Sequence, residues 1–269
     1  MSQPFHIVVL GGLVPDPLQT LEPVQGPTGW GLKNEMMLPA ILDPWVQNAL
    51  WEAAALAKAV PGSKVTWVAL APKGKLQQVL MILAQKAPFE LSAVDAPAGG
   101  FSDAGEAAAA LADAVNALPG LDKSKLLLFG GWESAARGAG VTLAMVGEKL
   151  GLLEQFQGVD QVKPMPDGTL EILERVEGGQ HQVSVLSGPP AVFGWATGNL
   201  PEPPNNPQVG MANMRVLMPA LQKAKPAALK NEGLTIPQVL VPKQKRETRI
   251  VKDMPVEQIA KEIADWIKE

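Results

Sequence analysis

Over roughly the first 150 residues, short β-branched apolar runs alternate with longer segments whose apolar positions recur every three or four residues. "HIVVLGG" (6–12) ends on paired glycines and reads as a buried parallel strand. A loop rich in Gly and Pro follows to about residue 40. In "DPWVQNALWEAAALAKAV" (43–60), Asp43 can cap a helix and Pro44 suits its first position, while Val46, Leu50, Ala53, Ala54 and Ala57 share one face. "KVTWVALA" (64–71) predicts a second strand and "KLQQVLMILAQKA" (75–87) a second helix. "FELSAVDAP" (89–97) predicts a third strand and "AGEAAAALADAVNAL" (104–118) a third helix. "KLLLFGG" (125–131) is the fourth strand, and the stretch running to residue 151 supplies the next helix. Strands alternating with helices predict an α/β fold: a mostly parallel sheet with helices on both faces.

After residue 158 the rhythm shortens. "VDQVKPMPDGTLEILERVEGGQHQVSVLSGPPAVFGWATG" alternates short strands with turn signals at "PDG" and "EGG", which predicts antiparallel hairpins at one edge over about 158–197. "NLPEPPNNPQVG" (199–210) is expected to be irregular, because its prolines remove donors and fix φ. A helix is expected within "MANMRVLMPALQKAK" (211–225), with Pro219 starting, kinking or ending it. The stretch 234–254 reads as extended and basic. "PVEQIAKEIADWIKE" (255–269) then closes as an amphipathic helix, with Val256, Ile259, Ile263, Trp266 and Ile267 on one side. The expected division is a main domain over 1–230 and a C-terminal arm over 231–269, the arm either returning to its own domain or crossing to a partner.

Composition narrows the chemistry. A chain of 269 residues that is 46% hydrophobic and 19% charged can build a sizeable core. A net charge of -4 argues against a duplex nucleic-acid binder. The lack of cysteine excludes disulfides, thiolate catalysis and Cys-ligated metal, and the two histidines lie far apart in sequence. The N-terminus lacks the basic and long apolar regions of a signal peptide. The longest apolar runs fall well short of the ~20 residues of a membrane span, so a cytoplasmic, non-spanning protein is expected.

The chemistry-bearing stretch is "LLLFGGWESAARGAGV" (126–141). Gly130, Gly131, Gly138 and Gly140 would let backbone donors approach a phosphate near a helix start, and Arg137 would add a charged fork. Open α/β sheets bind ligands at strand carboxyl ends, so Leu10, Gly11 and Ala71, at the ends of other strands, would line the same crevice. The spacing matches neither GxxxxGK[ST] nor GxGxxG, and glycines serving helix–sheet packing explain the same pattern. Asp43 and Glu133 read as helix caps rather than an acid/base pair, Ser134 has no nucleophile-elbow context, and His181 reads as a surface residue. The tryptophans read mainly as packing, with Trp195 and Trp266 the strongest interface candidates.

Several segments, in order, resemble the β-subunit of electron transfer flavoproteins, from about residue 5 to the final helix. The family's first strand looks like "HIVVLGG". Its Asn-Pro-Phe helix start is similar to "LDPWVQNALWEAAALAK", with Asp43, Pro44 and Trp45 in the three places. Its Leu-Asn-Glu-Pro resembles "NLPEP" (199–203), and its Leu-Pro-x-Ile-Met-Lys-Ala-Lys resembles "LMPALQKAK" (217–225). The resemblance implies an adenine nucleotide alpha-hydrolase-like domain and an α-subunit partner that carries the redox FAD. It also implies a dehydrogenase as electron donor and a quinone reductase or other acceptor. A docking loop over about 199–225 would present Leu217, Met218 and Leu221, and the C-terminal arm would embrace the α-subunit. AMP, or a second FAD as in electron-bifurcating members, would meet Leu10, Gly11, Asp43, Ala71, Gly130, Gly131, Arg137, Gly138, Ala139, Gly140 and Val141. The family's AMP loop, roughly Asp-Asp-x-x-x-Gln-Thr-Gly, here reads "ESAARGAG": Gly140 is kept, Ala139 replaces Thr, and only Glu133 remains acidic. Asn has become Asp43, a carboxylate where an anion would otherwise be welcome. The alternatives are a self-contained adenine-nucleotide binder of the same class and a ligand-free interaction subunit.

Overall fold

The computed structural model describes residues 3–27, 29–97, 99–136, 138, 140–241 and 248–268. It falls into two compact units, Met1–Ile236 and Pro237–Glu269.

In chain order, the first unit contains β1 (His6–Gly11), β2 (Leu13–Pro15), β3 (Pro23–Gly26), β4 (Gly29–Leu32), β5 (Ala40–Leu42), α1 (Pro44–Ala59), β6 (Lys64–Leu70) and α2 (Lys73–Ala84). Next come β7 (Glu90–Asp95), α3 (Ala104–Asn116), β8 (Leu126–Gly131), α4 (Val141–Lys149), β9 (Gln155–Pro164), β10 (Leu170–Arg175) and β11 (His181–Leu186). β12 (Ala191–Trp195), α5 (Pro207–Gln222) and β13 (Lys225–Pro226) complete it. One nine-stranded sheet runs β11-β10-β9-β12-β8-β1-β6-β7-β13. Its centre is parallel, and β9–β10 and β10–β11 pair antiparallel at one edge as the turn signals predict, whereas β12, inside the stretch read as part of that edge, is an interior strand parallel to both β8 and β9. The stretch before residue 40 is more ordered than its composition suggests, holding the small pairs β2–β5 and β3–β4.

Side-chain alternation along the central strands feeds two cores. Ile7, Val9, Trp67, Ala69, Leu91, Ala93 and Phe129 face α1, α2 and α5. Val8, Leu10, Val68, Leu70, Val94 and Leu128 face α3 and α4. The antiparallel edge is pinned by a buried carboxylate: Arg175 donates to both oxygens of Asp160 at 3.0 and 2.8 Å, and His181 Nε2 lies 3.0 Å from the same group. His181 is therefore a member of an ion-pair cluster. Trp195, an interface candidate among tryptophans read mainly as packing, is core: it is buried, with its ring centroid 5.1 Å from that of Phe129.

Two expectations about residues 199–225 are corrected. α5 begins at Pro207, inside the stretch read as irregular, because proline lacks only a donor that the first helical position does not use. Asn206 caps the helix by accepting from the Val209 N–H at 3.2 Å, and Pro219 lies within it. Leu217 and Leu221 do not form an exposed docking tip. Both are 0% exposed, one turn apart on the stripe that α5 lays against α2 and β7, with Met218 partly buried beside them. The large apolar residues that α5 exposes are Val209, Met211 and Val216.

In the second unit, α6 (Val256–Lys268) forms where the periodicity predicts, and the Arg249 guanidinium pairs with Glu262 at 3.0 Å. Its apolar stripe is solvent-facing, with Trp266 66% and Ile267 81% exposed.

Replacing Leu217 by alanine should cost about 2–5 kcal/mol in urea unfolding, whereas Val216→Ala should stay within about 0.5 kcal/mol. Equal small effects would put the leucine back on the surface.

Candidate functional site

From β1 the chain builds outward through β6 and β7, then returns to place β8 on the other side of β1. The strand order therefore reverses between β1 and β8, and crevices form at such points beyond the carboxyl ends of the strands. A cavity of about 160 Å³ lies there. Leu10, Gly11, Asp43, Gly131 and Gly140 line it, so distant parts of the sequence converge as predicted. Val14, Val46, Ser102, Glu133, Ser134, Thr142 and Leu143 also line it. Ala71 and Gly130 are buried and do not reach the cavity, and Val141, the first residue of α4, is 53% exposed. Gly138 sits in an exposed turn with φ 64°. Arg137 and Ala139 lie outside the described residues.

Asp43 is the organising side chain. It is 3% exposed, and its Oδ1 accepts from the Trp45 N–H at 3.1 Å, capping α1. Its Oδ2 accepts from the Ser134 hydroxyl at 2.7 Å and the Ala135 N–H at 3.1 Å. The Ser134 Oγ in turn accepts from the Ala136 N–H at 3.2 Å. Donors of the loop between β8 and α4 that would face a phosphate are thus taken by a carboxylate of the protein itself. Burial raises the Asp43 carboxyl above the usual carboxylate range, although hydrogen bonds from Ser134, Trp45 and Ala135 pull the other way.

The glycines have internal reasons as well. A Cβ on Gly140 would overlap the Trp132 carbonyl, and one on Gly131 would stand 2.6 Å from the Glu133 oxygen and 2.7 Å from Trp45 Cβ. Close approach of loop, sheet and α1 accounts for both residues without a ligand.

Comparison with models of known protein families finds no match. Comparison with curated proteins finds none either.

The arrangement does not fit the phosphate of AMP. Asp43 and Glu133 line the cavity, and among its described lining residues there is no lysine, arginine or histidine. Gly140, the N-cap of α4, offers no side-chain cap, so among the described residues the helix N–H groups are what remains to attract an anion. The histidines lie elsewhere: His6 Nδ1 accepts from the Asp122 N–H at 3.0 Å, and His181 belongs to the Asp160 cluster. The Ser134–Asp43 contact was beyond sequence reasoning, since 91 positions separate the partners.

A carboxyl with a raised folded-state pKa holds its proton where the unfolded chain has lost it. Its contribution to stability is therefore full below about pH 4 and fades as pH rises through the folded value. The melting temperature of Asp43→Asn relative to wild type should accordingly rise with pH across that window and then level off. A relative melting temperature that falls with pH would mean that the hydrogen bonds outweigh burial.

Proposed function

We propose that this chain is the β-subunit of an electron transfer flavoprotein, a scaffold for an FAD-bearing α-subunit. The observation that carries this reading is α6. Val256, Ile259, Ile263, Trp266 and Ile267 make one continuous apolar stripe, and all are exposed. A stripe of that kind calls for a cover, which in this reading the α-subunit supplies, and aromatic anchors are common at the centre of such interfaces. The parallel order β7-β6-β1-β8-β12, with a crevice where the order reverses, supports an adenine nucleotide alpha-hydrolase-like domain as its framework.

In this reading FAD, held by the α-subunit, accepts electrons from a dehydrogenase and passes them to a quinone reductase or other acceptor. This chain contributes surface rather than redox chemistry. Its own crevice takes no AMP phosphate, because Asp43 fills the place of the anion. The same acidic lining disfavours a self-contained nucleotide-binding protein. Dehydrogenase docking, which the family resemblance placed at Leu217, Met218 and Leu221, is left to exposed groups, since the two leucines hold α5 to the core and Met218 is partly buried beside them. Among the described residues, no helix is long and apolar enough to cross a membrane.

Affinity purification of the tagged chain from its native host should bring down one stoichiometric partner and a flavin spectrum, with one FAD per heterodimer. The double variant Ile263→Asp, Trp266→Asp, altered only on the exposed stripe, should lose the partner while keeping the thermal transition of the main domain. A colourless chain recovered alone would overturn the reading.

A further inference from the structure

A further cavity of the first unit is separate from the crevice. It is a slot of about 1090 Å³ along the outer edge of β7, between α3 and α5. β13 pairs with β7 only at Val94 and Asp95, so Glu90, Leu91 and Ser92 have no outer strand among the described residues. The Ala71 N–H donates to the Val94 carbonyl on the inner side, and the Ala227 N–H donates to the Asp95 carbonyl on the outer side. Backbone groups alternate along a strand, so Leu91 presents its N–H and C=O outward like Asp95. An open edge of this kind pairs readily with another extended chain. The slot also has the thickness of a sheet layer, because α3 covers one face of the edge and α5 the other.

Its walls differ in charge. On the α3 side stand Glu90 and Asp113, and on the α5 side Arg215 and Lys223. None of the four forms an ion pair among the described residues. A strand laid against β7 sends successive side chains alternately to the two walls. We propose that this slot binds an extended segment of a partner polypeptide by strand addition, with a basic residue facing α3 and an acidic residue, an odd number of positions away, facing α5. A second copy of β7 does not fit. Its acidic ends, Glu90 and Asp95, would oppose each other in an antiparallel pair, and like charges directly opposite destabilise. The inference goes beyond the flavoprotein reading and does not depend on it.

Two peptides of one composition test it on the full chain. In Thr-Val-Lys-Val-Val-Glu-Val-Thr the charges fall on opposite faces of a strand, and in Thr-Val-Lys-Val-Glu-Val-Val-Thr they fall on the same face. The first should bind about fivefold more tightly, from two favourable charge pairs, and should slow amide exchange at Leu91 as followed by NMR. Leu91→Pro should abolish binding. Should that variant not fold, Arg215→Glu with Lys223→Glu, both at exposed positions, decides instead, and should remove the preference for the first peptide. Equal binding of both peptides, no binding of either, or protection that spares β7 would overturn the proposal.

Discussion

The carboxylate of Asp43 ties the start of α1 to the loop between β8 and α4, and the geometry at the head of the sheet depends on that tie. One oxygen caps a helix, and the other gathers the Ser134 hydroxyl and the Ala135 N–H. A buried carboxylate is costly unless hydrogen bonds satisfy it, and these partners come from segments that must close on one another to supply them. Closure brings Gly131 and Gly140 so near neighbouring backbone that no side chain fits there. The crevice is thereby shaped from within, by a carboxyl of the chain itself.

Much of the framework was legible because its signals are local. Alternating apolar runs and helical stripes mark β1, β6, β7, β8 and the helices between them within a few residues, and "PDG" and "EGG" mark the turns of the antiparallel edge. The misreadings have physical causes. Pro207 reads as a breaker but sits where proline is favoured. Leu217 and Leu221 resemble an exposed docking tip in sequence, yet their spacing of one turn is also that of a buried stripe, and burial against α2 wins. The glycines of the loop after β8 were ambiguous from sequence for a plain reason. Removing a Cβ serves a phosphate and a closely packed backbone equally well, and only the neighbours tell them apart.

The chain also presents two kinds of unfinished surface. α6 offers side chains without a cover, a stripe suited to a groove on another protein. β7 offers, among the described residues, an outer edge paired only at Val94 and Asp95, suited to an extended segment. Both suit the proposed role of a subunit that holds other proteins.

Calorimetric titration with AMP, on the wild type and on Asp43→Asn, tests most directly whether Asp43 stands in for a bound anion. The wild type should show no saturable binding, while the asparagine variant, lacking the charge, should bind AMP at least about tenfold more tightly, a difference of roughly 1.4 kcal/mol. Binding of AMP to the wild type as tightly as to the variant would contradict it.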